Sequence, residues 1–376
     1  MRIRVLLLLT FLGFLSQNAS AEHILFHPKP SKKVVRLYLD RYGQIYPSNG
    51  FKADPNIFYM RGDFCHSEYG RCRHGDAANL MTYFNYHDED GFDEVAKAYK
   101  VSSFEGLQKK LLKEYAKTIN SKLRESKSKK LVFLIHGFDN SFTYWEYIRM
   151  REKINEYTGE DDIVYVELYW DALRDQNAAY TYSRAEINSL FVGYTLRKLL
   201  ANIDENINLT LLTHSIGASV ATQALFNVDK WRDRYFQYYL DDIGFGLPTP
   251  KQQNITLAML APAIPGVQTF NDINNTSLDE NDNENYKRIV VGYSEHDHVN
   301  GKGMYSIFAS RYGQHALAVS RSEVHRTHKT LQKEHNDVKF LSANFTGDTK
   351  KNTHTMSQYM DLGHFSDFID DTFGQY

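Results

Sequence analysis

The segment Leu209–Phe226, LTLLTHSIGASVATQALF, decides the fold. Its first part, Leu209 to Leu212, is a short apolar run of strand character, and Ala218 to Phe226 reads as a helix, so Thr213-His214-Ser215-Ile216-Gly217 must turn sharply between them. This is the strand–turn–helix setting of a G-x-S-x-G nucleophile elbow, with Thr213 in place of the first glycine. Such a turn lifts Ser215 above the sheet, while Gly217 and Ala218 allow strand and helix to approach. A Ser-x-Gly tripeptide alone says little; between a strand and a helix it points to a nucleophile. The plainer role for Ser215 is that of a helix cap. Thr213 is the departure from the pattern and puts the backbone fit in question.

Outward from this segment, short apolar runs alternate with helical stretches. Leu131–Ile135, Ile163–Tyr169, Leu209–Leu212, Ile255–Leu260, Arg288–Tyr293 and Val338–Ala343 read as strands. Tyr144–Tyr157, Glu186–Ile203 and Ala218–Phe226 read as helices between them. Buried strands alternating with helices predict an α/β protein with a mainly parallel central sheet and helices on both faces. Ligands then bind at the carboxyl ends of the strands. Upstream, Phe104, Leu107, Leu111, Tyr115, Ile119 and Leu123 recur at spacings of three and four, with Lys109, Lys110, Lys113 and Lys117 on the other face. This predicts an amphipathic helix with a solvated lysine face. Val34–Leu39 followed by Asp40-Arg41-Tyr42-Gly43 reads as an edge hairpin. From Ser48 to about Gly91 no period stands out.

The strand Leu131–Ile135 runs into His136-Gly137-Phe138-Asp139-Asn140-Ser141. Acyl transfer develops an oxyanion, which needs backbone N–H donors fixed in advance. The N–H of Ile216, just after the nucleophile, is one candidate, and that of Phe138 is the other. His136 precedes the serine in the chain, and a structural role, holding this loop, fits it better than proton transfer.

The segments HGFDNSF, YWDALRD, Tyr182-x-Arg184 and THSIGAS resemble the alpha/beta-hydrolase superfamily, most closely a bacterial branch of uncharacterised hydrolases that pair HG[FY]xNSF with an [AT]HSxG elbow. The resemblance covers roughly Ser103 to His364. It implies a Ser, Asp, His triad in that chain order, the acid late in the sheet and the histidine after the last strand. Asp297, behind the strand Arg288–Tyr293, matches the acid, with Glu295 in reserve. For the base, His364 in Asp361-Leu362-Gly363-His364-Phe365 resembles the Gly-His segment of the family, and Gly363 would ease a close approach to the elbow; His354 is the rival. The superfamily includes esterases, lipases, peptidases and thioesterases. The resemblance therefore implies a serine hydrolase acting through an acyl-enzyme, with a small-molecule or lipid-like carboxylic ester as the expected substrate. Amide and thioester hydrolysis stay open, as does a non-catalytic binding protein on the same scaffold. The expected chemistry calls on no metal and no organic cofactor.

Among 376 residues, 44 Lys and Arg stand against 46 Asp and Glu, which gives no electrostatic case for nucleic acid or an anionic membrane. Met1–Arg4 is cationic, Val5–Leu15 mostly apolar, and Ala19-Ser20-Ala21 has the small residues of a cleavage site. Residues 1–21 thus read as a secretory signal, and the protein is expected to be exported, periplasmic or secreted. The apolar run is too short for a stable membrane span. In an oxidising compartment Cys65 and Cys72 are best read as a disulfide; zinc ligation and free thiols are the alternatives. The expected division is a signal over 1–21, an N-terminal extension over 22–102 and a catalytic domain over 103–376. Asn227–Gln253, rich in aromatics, is either a small lid or ordinary core. Gly266–Tyr286 reads as a solvated acidic loop. Oligomeric state is not legible.

Overall fold

The computed structural model describes residues 31–47, 80–81, 84, 89–138, 143–170, 172, 178–226, 250–252, 254–271, 286–297, 316–334, 338–350 and 353–374. The strands are β1 (Val34–Leu39), β2 (Lys130–Ile135), β3 (Val164–Trp170), β4 (Asn208–His214), β5 (Asn254–Leu260), β6 (Tyr286–Tyr293) and β7 (Lys339–Asn344). The helices are α1 (Glu89–Tyr99), α2 (Phe104–Glu125), α3 (Thr143–Thr158), α4 (Ala178–Leu200), α5 (Gly217–Phe226), the single turn α6 (Val267–Asn271), α7 (Arg321–Glu334), the short α8 (Met356–Tyr359) and α9 (Phe365–Phe373).

The seven strands form one sheet in the order β1-β3-β2-β4-β5-β6-β7, and every pairing is parallel. Parallel pairing requires crossovers, and helices supply them. Helix α3 packs on β3 and touches α8 and α9, while α2, α4 and α5 touch one another in series. Coverage on both faces explains why β2 and β3 are apolar almost throughout: Leu131 to Ile135 are fully buried. Each such aliphatic side chain contributes about 1.5–3 kcal/mol by leaving water.

Val34–Leu39 pairs with β3 along its whole length, Val34 opposite Tyr165 and Leu39 opposite Trp170. The N-terminal segment therefore contributes an edge strand to the main sheet. Its hairpin return amounts to a single bridge, Leu39 to Ile45, with Gly43 left-handed in the turn. Beneath β1, the fully buried Glu167 of β3 accepts from Arg36 Nε at 2.8 Å and lies 3.0 Å from Arg151 Nε. Two guanidinium groups offset the desolvation of one carboxylate.

The chain passes from β2 outward to β3, then returns across β2 to β4. This reversal opens a crevice at the carboxyl ends of β2 and β4, where open α/β sheets bind ligands. No helix among the described residues is long and apolar enough to cross a membrane. The expected signal over 1–21 and the Cys65–Cys72 pair lie outside the described residues, as does most of 227–253 and of 266–286.

Candidate active site

Ser215 sits directly above this crevice. Its φ is +53°, the left-handed region that costs a non-glycine residue about 1–2 kcal/mol. Three backbone bonds hold it there: its N–H donates to Leu260 O at 3.0 Å, and its carbonyl accepts from Ala218 and Ala263 N–H, each at 3.1 Å. A strained serine at a strand-to-helix turn is the geometry of a nucleophile elbow. The backbone accommodates Thr213, which is still a strand residue, paired with Ile135 and Met259 and fully buried, its hydroxyl without a hydrogen-bond partner among the described residues. Gly217 is indispensable: a Cβ there would lie 2.6 Å from both Ile135 O and His136 O. So is Gly137, whose Cβ would fall 2.7 Å from Ser215 Cβ.

The β2–β4 register, Ile135 opposite Thr213, carries the next residues side by side and brings the Gly137 turn against the serine. Neither the Phe138 N–H nor the Ile216 N–H has an acceptor among the described residues. Acyl transfer calls for N–H donors of this kind, held in advance near the attacking oxygen. His136 is committed to holding this loop. Trp170 N–H donates to its Nε2 at 3.2 Å, so its Nδ1–H donates to Gly137 O at 2.8 Å. Its own N–H donates to Tyr147 Oη at 2.7 Å. Burial pulls its pKa down to about 4, so the ring is neutral and serves as a structural link.

Asp297 lies just beyond β6, fully buried, its N–H donating to Ser294 O at 3.0 Å. Its carboxylate accepts from His354 Nδ1 at 2.9 and 3.1 Å, and from Tyr359 Oη at 3.1 Å. Glu295, the reserve acid, is exposed. The structure thus brings Asp297 together with His354 and not with His364. His364 caps α9, its side chain is 49% exposed, and its Nδ1 bonds Asp348 Oδ2 at 2.6 Å. That contact raises the His364 pKa, since the hydrogen bond and charge of Asp348 favour the imidazolium. The physical reason for the difference is where the chain turns. From the end of β7 the chain reaches His354 while still above the sheet, whereas α9, which follows His364, runs back against β6, β7 and α3.

Several side chains fix His354. Gln358 Oε1 accepts from the N–H groups of His354 and Thr355 at 2.8 and 2.9 Å, and Thr355 caps α8 in a reciprocal capping box. From α3, which follows the oxyanion loop, buried Glu146 accepts from Ser357 N–H at 3.0 Å and Oγ–H at 2.7 Å. Arg149, one turn on, donates to Ser357 O and to Asp361. His214 Nε2–H donates to His354 O at 2.6 Å, and burial next to His354 holds the His214 ring neutral. The pattern Thr355-x-x-Gln358 is a readable helix start directly after His354, whereas nothing local in the sequence marks Glu146, His214 or Tyr359. Among the described residues no group of three or more His, Cys, Asp or Glu is arranged to hold a metal.

A family model described as alpha/beta hydrolase of unknown function (DUF900) matches residues 112–342. The match spans Phe138, Ser215, Ile216 and Asp297 and stops short of both His354 and His364. No curated protein and no solved structure matches the chain.

Proposed function

Because the chain belongs to the family of alpha/beta hydrolases of unknown function (DUF900), we propose that it is an exported serine hydrolase that cleaves a carboxylic ester through an acyl-enzyme. The observation that carries this reading is the His354–Asp297 pair, whose imidazole lies 5.1 Å, ring to ring, from His214, the residue before left-handed Ser215. With Nδ1–H donated to Asp297, Nε2 of His354 is left unprotonated, the tautomer a general base needs. Ser215 Oγ attacks the ester carbonyl while His354 Nε2 takes its proton. The negative charge on the carbonyl oxygen is met by the Phe138 and Ile216 N–H groups. On collapse of the tetrahedral intermediate His354 returns the proton to the departing alkoxide. Water, deprotonated by the same nitrogen, then attacks the acyl-enzyme, releasing the acid and restoring Ser215. Asp297 stays ionised and stabilises the imidazolium in both halves.

A fluorophosphonate probe should label the wild-type chain and leave Ser215→Ala unlabelled; equal labelling of the two refutes the assignment. Export is tested on protein from the periplasmic or culture fraction, whose N-terminal residue should be Glu22; an intact Met1 there would overturn it.

A further inference from the structure

A small cavity lies beside the elbow, walled by Glu186 and Leu190 of α4, Ser219 and Thr222 of α5, and the 263–269 segment that follows β5. One wall residue is bonded to the backbone of Ser215. The Ala263 N–H donates to Ser215 O at 3.1 Å, and Ser219 lies in the first turn of α5, the helix that follows Ser215. Glu186 is the one ionisable group among the described lining residues. Its carboxylate has no hydrogen-bond partner among them, and burial alone pushes its pKa up to about 7. Among the described side chains, the titratable neighbour on the same helix is Tyr182, which burial keeps uncharged. Among the described residues no charged group offsets this burial, and a half-buried carboxylate without a counter-charge is costly.

The rest of the wall offers lone pairs and few protons. Thr222 Oγ1–H donates to Ala218 O at 2.8 Å, and Thr269 Oγ1–H to Pro265 O at 2.5 Å. Ser189 Oγ links Glu186 O at 2.5 Å with Ser219 Oγ at 2.7 Å. The hydroxyl oxygens of Thr222 and Thr269 have thus spent their hydrogens on backbone carbonyls and can only accept. An acceptor-rich cavity closed by an acid selects a cation with several donors. Its volume, about 20 Å³, holds a group the size of one water. A primary ammonium fits; a guanidinium or a trimethylammonium does not.

We propose that the Glu186 cavity is a subsite for a primary ammonium group, so that the preferred substrate is an ester carrying an amine near its scissile carbonyl. The link to the scissile bond rests on the serine-hydrolase reading; the binding does not. Calorimetric titration of the full chain with n-butylammonium should show binding that weakens about tenfold from pH 8 to pH 6, as the carboxylate fraction of a group with a pKa near 7 falls. In Glu186→Gln the affinity at pH 8 should drop about tenfold and the pH dependence should vanish. Tetramethylammonium, which is bulkier and has no donors, should bind the wild type at least tenfold more weakly. No binding to wild type, equal binding to Glu186→Gln, or equal affinity for tetramethylammonium overturns the site. n-Butylammonium should also compete with a p-nitrophenyl ester; binding without competition overturns its role as a substrate subsite. Hydrolysis that does not depend on Ser215 would instead sink the serine-hydrolase reading, leaving the ammonium titration to stand or fall by itself.

Discussion

The two histidines after β7 make the sharpest test of the site. His354→Gln removes the ring that contacts buried Asp297 at 2.9 and 3.1 Å. Glutamine can still donate to the carboxylate but cannot take a proton from Ser215. Loss of a general base typically costs about 10²–10⁴-fold in rate, and more where the residues act as one unit. A fall of at least about 10³ in kcat/KM, or about 4 kcal/mol of barrier, is therefore expected. The fold should survive the change, because Asp297 keeps the Tyr359 hydroxyl at 3.1 Å. His364→Gln removes only a surface pair, with side chains 49% and 22% exposed. Pairs of that kind contribute about 0–1 kcal/mol to stability, and activity should stay within about twofold of wild type. The assay is p-nitrophenyl ester hydrolysis with active-site titration, with circular dichroism as a check on folding. A thousandfold loss in His364→Gln, or a loss under tenfold in folded His354→Gln, would refute the assignment of the base.

Three further outcomes follow from the same geometry. Glu146→Gln should lower kcat about tenfold, with the larger effect on kcat than on KM, because the two bonds to Ser357 that position the histidine loop lose their charge; unchanged kcat would remove Glu146 from that role. His136 is neutral when folded, with a pKa near 4, and protonates near 6.5 when unfolded. The unfolded state therefore binds the extra proton first, and stability should fall as pH drops from 6.5 to 4, His136 contributing about 1.4 kcal/mol per unit and about 3 kcal/mol over that range. Urea denaturation at pH 7, 5.5 and 4.5 measures the slope, and His136→Gln should remove the His136 share while leaving that of His214, which burial also holds neutral. Glu167→Ala leaves the partly buried Arg36 and Arg151 without their carboxylate and should cost about 2–3 kcal/mol in urea unfolding; a loss under 1 kcal/mol would show that water replaces the partner.

The parts of this molecule that were legible are those whose causes are local. Parallel strands buried on both faces are continuous apolar runs, so β2 to β7 could be read within a residue or two. The elbow was legible because a strand, a serine, a glycine and a helix succeed one another within eighteen residues. The pairing of β1 with β3 was not, since its partner lies more than a hundred residues away and nothing in Val34–Leu39 names it. The base shows the same limit more sharply. Gly363 suggested that a small residue lets His364 come close to the elbow, yet a Cβ there would meet nothing nearer than Asp348 Oδ2 at 3.5 Å, an ordinary contact. That glycine relieves no crowding, so the close approach it suggested has no counterpart in the packing around it. What a base needs is orientation, and at His354, the base we propose, this comes from Asp297, Gln358, the carbonyl contact with His214, and Glu146 acting through Ser357. Of these only Gln358 is close in sequence, and its capping box with Thr355 was the one local mark of the anchored loop. A chemical role that depends on partners from α3, β4 and β6 at once leaves little trace in the residues beside it.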